Sequence, residues 1–119
     1  MATLVSFDID GTLEAGDPPG PVTFSMVRKA QAHGCIIGSA SDRPLPVQQS
    51  IWDRYSIEVS FISSKQGLPE VKARFPADEY YHIGDTEMDQ QLAEAAGFLF
   101  VWMVDGHTEP WINGAASQS

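Results

Sequence analysis

Two aspartates near the start of the chain, Asp8 and Asp10, have the types and spacing of a catalytic carboxylate pair. In an extended strand alternate side chains share a face, so these two carboxylates lie on one side while Ile9 lies on the other. Gly11 follows them and allows a sharp turn. A fold tolerates two neighbouring carboxylates when a cation lies between them or when one keeps a proton. Both states serve phosphoryl transfer, because a carboxylate attacks phosphorus and a carboxylic acid protonates the leaving oxygen.

A second acidic segment, GDTEMD, lies far along the chain at residues 84–89. Asp85 and Asp89 are four residues apart, so they share one side once a helix has begun. Mg²⁺ takes oxygen ligands and keeps several waters, so a few carboxylates suffice to bind it. Each segment also has a structural interpretation: Asp8 and Asp10 as turn formers after a strand, and the later acids as favourable residues at a helix N-terminus.

Both acidic segments follow apolar runs in a chain that alternates short strands with helices. The predicted strands cover residues 3–7, 35–40, 57–62, 80–83 and 98–103, and the predicted helices cover residues 23–33, 44–55, 67–75 and 88–96. This alternation predicts a doubly wound α/β fold with a five-stranded parallel sheet. Ligands bind such a sheet at the carboxyl ends of its strands, which is where the acidic segments fall.

The segment FDIDGT at residues 7–12 resembles the first motif of the haloacid dehalogenase (HAD) superfamily in its phosphatase form, and residues 84–89 are similar to the fourth. The resemblance implies a HAD-like three-layer α/β/α sandwich over residues 1–104, followed by a partly flexible tail over 105–119. Many members carry an inserted cap domain. Residues 13–21 and 44–64 are too short to hold one, so we expect a capless member with an open site.

The resemblance also implies roles for the four aspartates. Asp8 would be the nucleophile and a Mg²⁺ ligand, and Asp10 would be the acid and base, with its backbone carbonyl as a further ligand. Asp85 would bind Mg²⁺ directly, and Asp89 through water. An aspartate two residues after the nucleophile points to a phosphatase or phosphotransferase, because dehalogenases proper lack it.

Phosphate-binding residues are predicted between these two motifs. Residues 41–44 read SDRP and resemble the S-G-R-P form of the second motif, which favours Ser41, with Ser39 as the alternative. Arg43 could contact the substrate or pair with a nearby acid. Lys65 is preferred over Lys72 as the third-motif lysine, because it precedes a helix and helix starts face the site. Loop residues complete the predicted phosphate-binding set: Ile9, Gly11 and Thr12.

These motifs predict a Mg²⁺-dependent phosphatase that hydrolyses a phosphate monoester through an aspartyl-phosphate on Asp8. The alternatives are a catalytically silent module that binds Mg²⁺ and phosphate, or a phosphotransferase. A receiver domain is disfavoured, because residues 60–63 at the end of the third strand contain no aspartate. The expected partner is a phosphorylated small molecule or macromolecule, and an uncapped site makes a homo-oligomer plausible.

Composition restricts the partners and the cellular location that we expect for the protein. The net charge of −9 at pH 7 argues against non-specific nucleic-acid binding, but not against a phosphate substrate, because a divalent metal reverses the local sign. We expect no membrane span and no signal peptide, and the single cysteine, Cys35, excludes an internal disulfide; together these predict a cytoplasmic protein. His82 is interpreted as a packed strand residue rather than a base. His107 is assigned to the flexible tail, with a substrate contact as the alternative, and Trp111 is interpreted as a core or surface anchor, with an oligomer contact as the alternative.

Overall fold

The computed structural model describes residues 2–104, which form an α/β fold around a five-stranded, all-parallel sheet. The strands are β1 (Thr3–Phe7), β2 (Ile36–Ala40), β3 (Phe61–Ser63), β4 (Glu79–Gly84) and β5 (Leu99–Trp102). The helices are α1 (Phe24–Ala32), α2 (Leu45–Arg54), α3 (Leu68–Arg74) and α4 (Glu87–Ala95), and a short 3₁₀ helix covers Lys65–Gly67. The predicted order of strands and helices and the parallel sheet are confirmed.

The third strand is the one element whose predicted start was wrong by several residues. It was expected at residue 57, whereas β3 begins at Phe61. After α2 the chain turns through Ser56, which has a φ of 56°, and the N–H of Ile57 donates back to the Trp52 carbonyl at 3.1 Å. Ile57 is buried by this turn rather than by sheet pairing, so its apolar character was misleading about strand length.

The strand order β3-β2-β1-β4-β5 places β1 at the centre of the sheet. Phe7, the last residue of β1, is in register with Ser39 of β2 on one side and with Ile83 of β4 on the other. The residues that follow these three strands therefore meet at one edge, although they come from distant parts of the chain. The chain order reverses across β1, which is the position where open α/β sheets bind ligands.

The sheet is covered by two clusters of buried apolar residues. All of β1 is buried, as expected for a central strand of a parallel sheet. The first cluster joins β1 to α1 and α2, and includes Val5, Phe7, Phe24, Val27, Ile51 and Trp52. The second joins β1 to α3 and α4, and includes Leu4, Leu68, Val71 and Ala93. Alternate residues of β1 thus enter different clusters, which holds its carboxyl end rigidly in place.

The segment between β1 and α1 is a loop that is tied back on itself. Leu13 and Val22 form an isolated parallel bridge, and the Glu14 N–H donates to the Val22 carbonyl at 2.9 Å. The Glu14 carboxylate accepts the Phe24 N–H at 2.6 Å, and the Thr23 hydroxyl accepts the Met26 N–H at 3.2 Å. These bonds start α1 and keep the loop beside the carboxyl end of β1.

Within residues 2–104, every helix is too short or too polar to cross a lipid bilayer. The predicted tail, residues 105–119, lies outside the described residues, and so do His107 and Trp111.

Candidate functional site

Three of the four predicted aspartates converge at the carboxyl edge of the sheet. Asp8 follows β1, Asp85 follows β4, and Asp89 lies in the first turn of α4. One carboxylate oxygen of each lies within 4.8 Å of the other two. The Asp8 N–H donates to the Ile83 carbonyl at 2.9 Å, which extends the pairing of β1 with β4 into the site. This acidic group could bind a metal, and its all-oxygen donors are the ligands that Mg²⁺ prefers.

Asp89 is placed by the start of α4. The Thr86 hydroxyl accepts the Asp89 N–H at 3.2 Å, and the Asp89 carboxylate accepts bonds from the Thr86 N–H at 3.3 Å and hydroxyl at 2.8 Å. This reciprocal pattern is a capping box. The two interpretations of the second acidic segment, helix capping and membership of the acidic group, therefore both apply to Asp89.

His82 is a second partner of Asp89, and sequence analysis missed it. The histidine is packed inside β4, as predicted, and its Nε2 lies 3.0 Å from a carboxylate oxygen of Asp89. Its Nδ1 lies 2.9 Å from the Ser6 hydroxyl. With Nε2 donating to Asp89, Nδ1 accepts from Ser6, so both ring nitrogens are satisfied. The available signal was a polar side chain within an apolar strand, which needs hydrogen-bond partners when buried.

Lys65 lies beside the acidic group, at the start of the 3₁₀ helix. Its Nζ is 3.2 Å from Asp89, 3.6 Å from Asp8 and 3.4 Å from the exposed Asp42. Burial by itself would lower the pKa of Lys65, but Asp8 and Asp89 outweigh burial and raise it, so the ammonium stays charged. Lys72, the other candidate, instead donates to the Gly97 carbonyl at 3.4 Å. Lys65 rather than Lys72 therefore lies beside the acidic group, and its phosphate-binding role stays a prediction.

The buried acids affect one another's protonation. Burial, together with the charge of Asp89, raises the pKa of Asp8 to about 8, in spite of Lys65 and the N–H of Ile9. Burial would also raise the pKa of Asp89, but the hydrogen bonds from His82 and Thr86 and the charge of Lys65 lower it overall. Asp89 is thus the charged member near neutral pH. Asp8 then keeps a proton, which a bound cation would displace.

Asp10 does not join this acidic group through its side chain. Arg43 clamps its carboxylate with two nitrogens, Nε at 3.0 Å from one oxygen and Nη2 at 2.6 Å from the other, and the Asp17 N–H donates at 2.8 Å. The hydrogen bonds from Arg43 hold the pKa of Asp10 below its usual range. Of the two roles left open for Arg43, pairing with an acid is the one seen. The predicted ligand role of the Asp10 backbone carbonyl stays a prediction.

The two candidate serines have different surroundings. Ser41 is buried, and its N–H donates to the Ser63 carbonyl at 3.1 Å. Its hydroxyl accepts the Arg43 N–H at 3.1 Å and keeps its own hydrogen for another acceptor. Ser39 has no such freedom, because its hydroxyl donates to Gln48 at 2.6 Å and accepts from Trp52 at 3.0 Å. Position and free hydrogen-bonding capacity therefore favour Ser41.

Two backbone N–H groups of the predicted phosphate-binding loop already donate hydrogen bonds within the chain. The Ile9 N–H favours the charged form of Asp8 and so lowers its pKa. The Gly11 N–H donates to the Pro18 carbonyl at 2.6 Å, and the Thr12 N–H donates to the Ile9 carbonyl at 3.1 Å. Among the described residues, the buried Thr12 hydroxyl has no hydrogen-bond partner. The phosphate-binding roles of these three residues stay predictions, and the amides of Gly11 and Thr12 would have to exchange their present acceptors to fulfil them.

Gly11 also allows this loop to approach the acidic group closely. It has a φ of 76°, and a Cβ at this position would overlap the carboxylate of Asp85. Glycine is therefore required here for both backbone conformation and space.

The chain matches no protein-family model, and no curated protein matches it either. The HAD resemblance thus depends on the residues quoted above and stays a prediction.

Proposed function

We propose that the chain is a HAD-like, Mg²⁺-dependent phosphatase, which hydrolyses a phosphate monoester through an aspartyl-phosphate on Asp8. The observation that carries this proposal is the convergence of Asp8, Asp85 and Asp89 within 4.8 Å, with the Lys65 ammonium 3.6 Å from Asp8. A carboxylate nucleophile, a cation site and a fixed positive charge at one point are what phosphoryl transfer requires.

The donor set fits Mg²⁺. All three side chains offer carboxylate oxygens, and the single ammonium of Lys65 offsets only part of their charge. We assign Asp8 and Asp85 as direct ligands, with the Asp10 carbonyl as a further one and Asp89 acting through water. Bound Mg²⁺ would offset negative charge on the nucleophile and on the phosphoryl oxygens.

The chain's own residues divide the remaining work. An Asp8 oxygen attacks phosphorus as the bond to the leaving alcohol oxygen breaks, and Asp10 gives that oxygen a proton. Asp10 then takes a proton from water, which attacks the phosphorus of phospho-Asp8 and releases inorganic phosphate. The Ser41 hydroxyl and the Lys65 ammonium hold the phosphoryl oxygens through both steps.

The ion pair of Asp10 with Arg43 is incompatible with the acid role that this mechanism gives Asp10. An acid needs a proton, and Arg43 favours the charged form of Asp10. Asp10 would therefore have to leave Arg43 when substrate binds. The same ion pair favours a second candidate function, a module that binds Mg²⁺ and phosphate without turnover. A phosphotransferase would use the same first step with an acceptor other than water.

The arrangement of the helices supports the rest of the proposed architecture. Helices α1 and α2 pack into one apolar cluster, and α3 and α4 pack into the other. This separation favours a three-layer α/β/α sandwich. The site edge carries loops rather than an inserted folded unit between β1 and β4. We propose that a large substrate or a second subunit covers this open site.

The decisive variant is Asp8→Asn. We expect it to abolish phosphate release from an aryl phosphate, with an unchanged circular dichroism spectrum, because an amide oxygen is a far weaker nucleophile than a carboxylate. Asp53→Asn is the matched control, since Asp53 is an exposed acid of α2 that bonds to Gln49. Rates near that of the wild type for Asp8→Asn would end the assignment of the nucleophile.

A chelator separates the two candidate functions. A phosphatase releases phosphate from a panel of monoesters in Mg²⁺ and loses this activity in EDTA. A silent module binds Mg²⁺ by calorimetry, yet releases no phosphate from any of them. The first result supports the phosphatase, and the second supports the module.

A further inference from the structure

Gln48 is a buried polar residue of α2 whose side chain bonds to several backbone groups at once. Its Nε2 lies 2.9 Å from the Arg43 carbonyl, 3.0 Å from the Ser63 carbonyl and 3.4 Å from the Ser41 carbonyl. Its Oε1 accepts the Ser39 hydroxyl at 2.6 Å. The Gln48 residue is fully buried, and its bonds to the Ser41 carbonyl and the Ser39 hydroxyl are buried with it.

The orientation of the Gln48 amide follows from its neighbours. Trp52 can only donate, and its indole N–H donates to the Ser39 hydroxyl at 3.0 Å. The Ser39 hydrogen is then free for Gln48, which must present its oxygen there and its two N–H groups to the carbonyls. Those carbonyls belong to the end of β3 and to the loop of residues 41–43 after β2.

We propose that Gln48 is a positioning residue, which fixes the loop of residues 41–43 against the end of β3. One group of the proposed mechanism, the Ser41 hydroxyl, is on that loop, where it accepts the Arg43 N–H. This inference rests on the proposed function, which assigns Ser41 its role.

Few side chains could replace Gln48. An amide supplies two donors and one acceptor in one plane, which matches the two nearer carbonyls and the Ser39 hydroxyl. Methionine has a similar size but no donor, so Gln48→Met would remove this donor from the half-buried Arg43 and Ser63, although the Ser63 carbonyl would still accept the Ser41 N–H. The Arg43 carbonyl would lose its bond to Gln48, and the loop would move to find another donor.

The first test compares Gln48→Met with Trp52→Phe, which loses the bond to Ser39 and some core packing but keeps every bond from Gln48 to the backbone carbonyls. With an aryl phosphate and Mg²⁺, we expect kcat/KM to fall by about tenfold or more in Gln48→Met and by less than about threefold in Trp52→Phe. In a Ser41→Ala background the effect of Gln48→Met should shrink, because the group that it positions is gone. An equal loss in both backgrounds would indicate general destabilisation and overturn the proposal.

The second test does not depend on turnover. Hydrogen exchange of the Ser41 and Arg43 amides should accelerate in Gln48→Met and remain slow in Trp52→Phe. If the wild type shows no phosphatase activity, the proposed function fails, while this exchange still reports on Gln48. Unchanged exchange in a folded Gln48→Met overturns the positioning role. If Gln48→Met does not fold, Gln48→Glu takes its place, since it keeps the shape and the acceptor for Ser39 but loses donors, and the same two outcomes apply.

Discussion

At the scale of single residues, Asp8 and Asp89 show how neighbours decide the charge of a buried carboxyl group. Asp8 is only 3% exposed, and burial together with the charge of Asp89 raises its pKa to about 8. Asp89 is fully buried as well, but His82, Thr86 and Lys65 stabilise its charged form. Two aspartates, each with a carboxylate oxygen within 4.8 Å of the other's, therefore have different protonation states in the metal-free site.

This difference predicts that Mg²⁺ binding depends on pH. Below about pH 8 Asp8 carries a proton that Mg²⁺ must displace, so the affinity should rise by up to about tenfold per pH unit from pH 6 and level off above pH 8. Calorimetry in two buffers of different ionisation enthalpy should find about one proton released per Mg²⁺ bound at pH 7.

The control for this prediction is Asp8→Asn, which should bind Mg²⁺ more weakly and with little dependence on pH. A wild-type Mg²⁺ affinity that is flat from pH 6 to pH 8 would contradict the protonation of Asp8.

The same protonation affects the stability of the metal-free protein. The folded-state pKa of Asp8 lies above its ordinary value of 3.8, so the unfolded chain releases this proton first as pH rises. The contribution of Asp8 to the metal-free free energy of unfolding should therefore fall between about pH 4 and pH 8.

At the scale of secondary-structure elements, the site is built from strand ends and helix starts. The capping box of α4 places Asp89, and the tied loop after β1 carries Asp10 and Gly11. These short segments have little freedom, because each is fixed by backbone hydrogen bonds at both ends. A change of one methyl group in the Gly11 turn should therefore reach the acidic group.

Gly11→Ala and Gly34→Ala form a matched pair that measures this effect. Both glycines have positive φ, 76° and 90°, but a Cβ at Gly34 has no atom within 4 Å, whereas one at Gly11 overlaps Asp85. We expect Gly34→Ala to lower the free energy of unfolding by about 1–2 kcal/mol through backbone strain alone. Gly11→Ala should lower it further and also weaken Mg²⁺ binding, as measured by urea denaturation and calorimetry. Equal losses of stability with unchanged Mg²⁺ affinity would show that Asp85 is not displaced.

At the scale of the whole molecule, a chain of net charge −9 gathers three carboxylates from its two halves at one edge of the sheet. Only one of the 7 Lys and Arg residues, Lys65, lies within 4 Å of the acidic group among the described residues. Above about pH 8, where Asp8 also ionises, the folded metal-free state therefore concentrates negative charge that the unfolded chain spreads out. A bound divalent cation should relieve this repulsion and stabilise the folded state.

Mg²⁺ at about 100 times its dissociation constant should raise the free energy of unfolding by about 2.7 kcal/mol. For a domain of this size, that corresponds to an increase in Tm of roughly 10 °C, measured by differential scanning fluorimetry. NaCl at the same ionic strength controls for general screening of charge and should raise Tm much less. Asp85→Asn should lose most of the Mg²⁺ effect, and an equal increase in that variant would place the cation elsewhere.

The strands, the helices and the two acidic segments were predictable from the sequence, because these depend on local patterns. Apolar runs bounded by glycine and proline mark the strands, and Asp8 and Asp85 each follow such a run directly. The same local reasoning failed at β3, since a buried Ile57 in a turn has the same apolar signature as a strand residue. It favoured Ser41 but kept Ser39 as the alternative, because local patterns do not include the hydrogen-bond partners that distinguish the end of a strand from the loop after it.

The chain's residue types and spacing alone determined which groups are available for chemistry: four aspartates, a serine and a lysine at strand ends and helix starts. Only the tertiary structure decided how they pair, with Arg43 on Asp10, His82 on Asp89 and Gln48 on the loop of residues 41–43. The reason is that strand order and register bring together residues as far apart in sequence as Ser6 and His82. Hydrogen bonds depend on distances of a few tenths of an ångström, which are set by the packing of the whole chain.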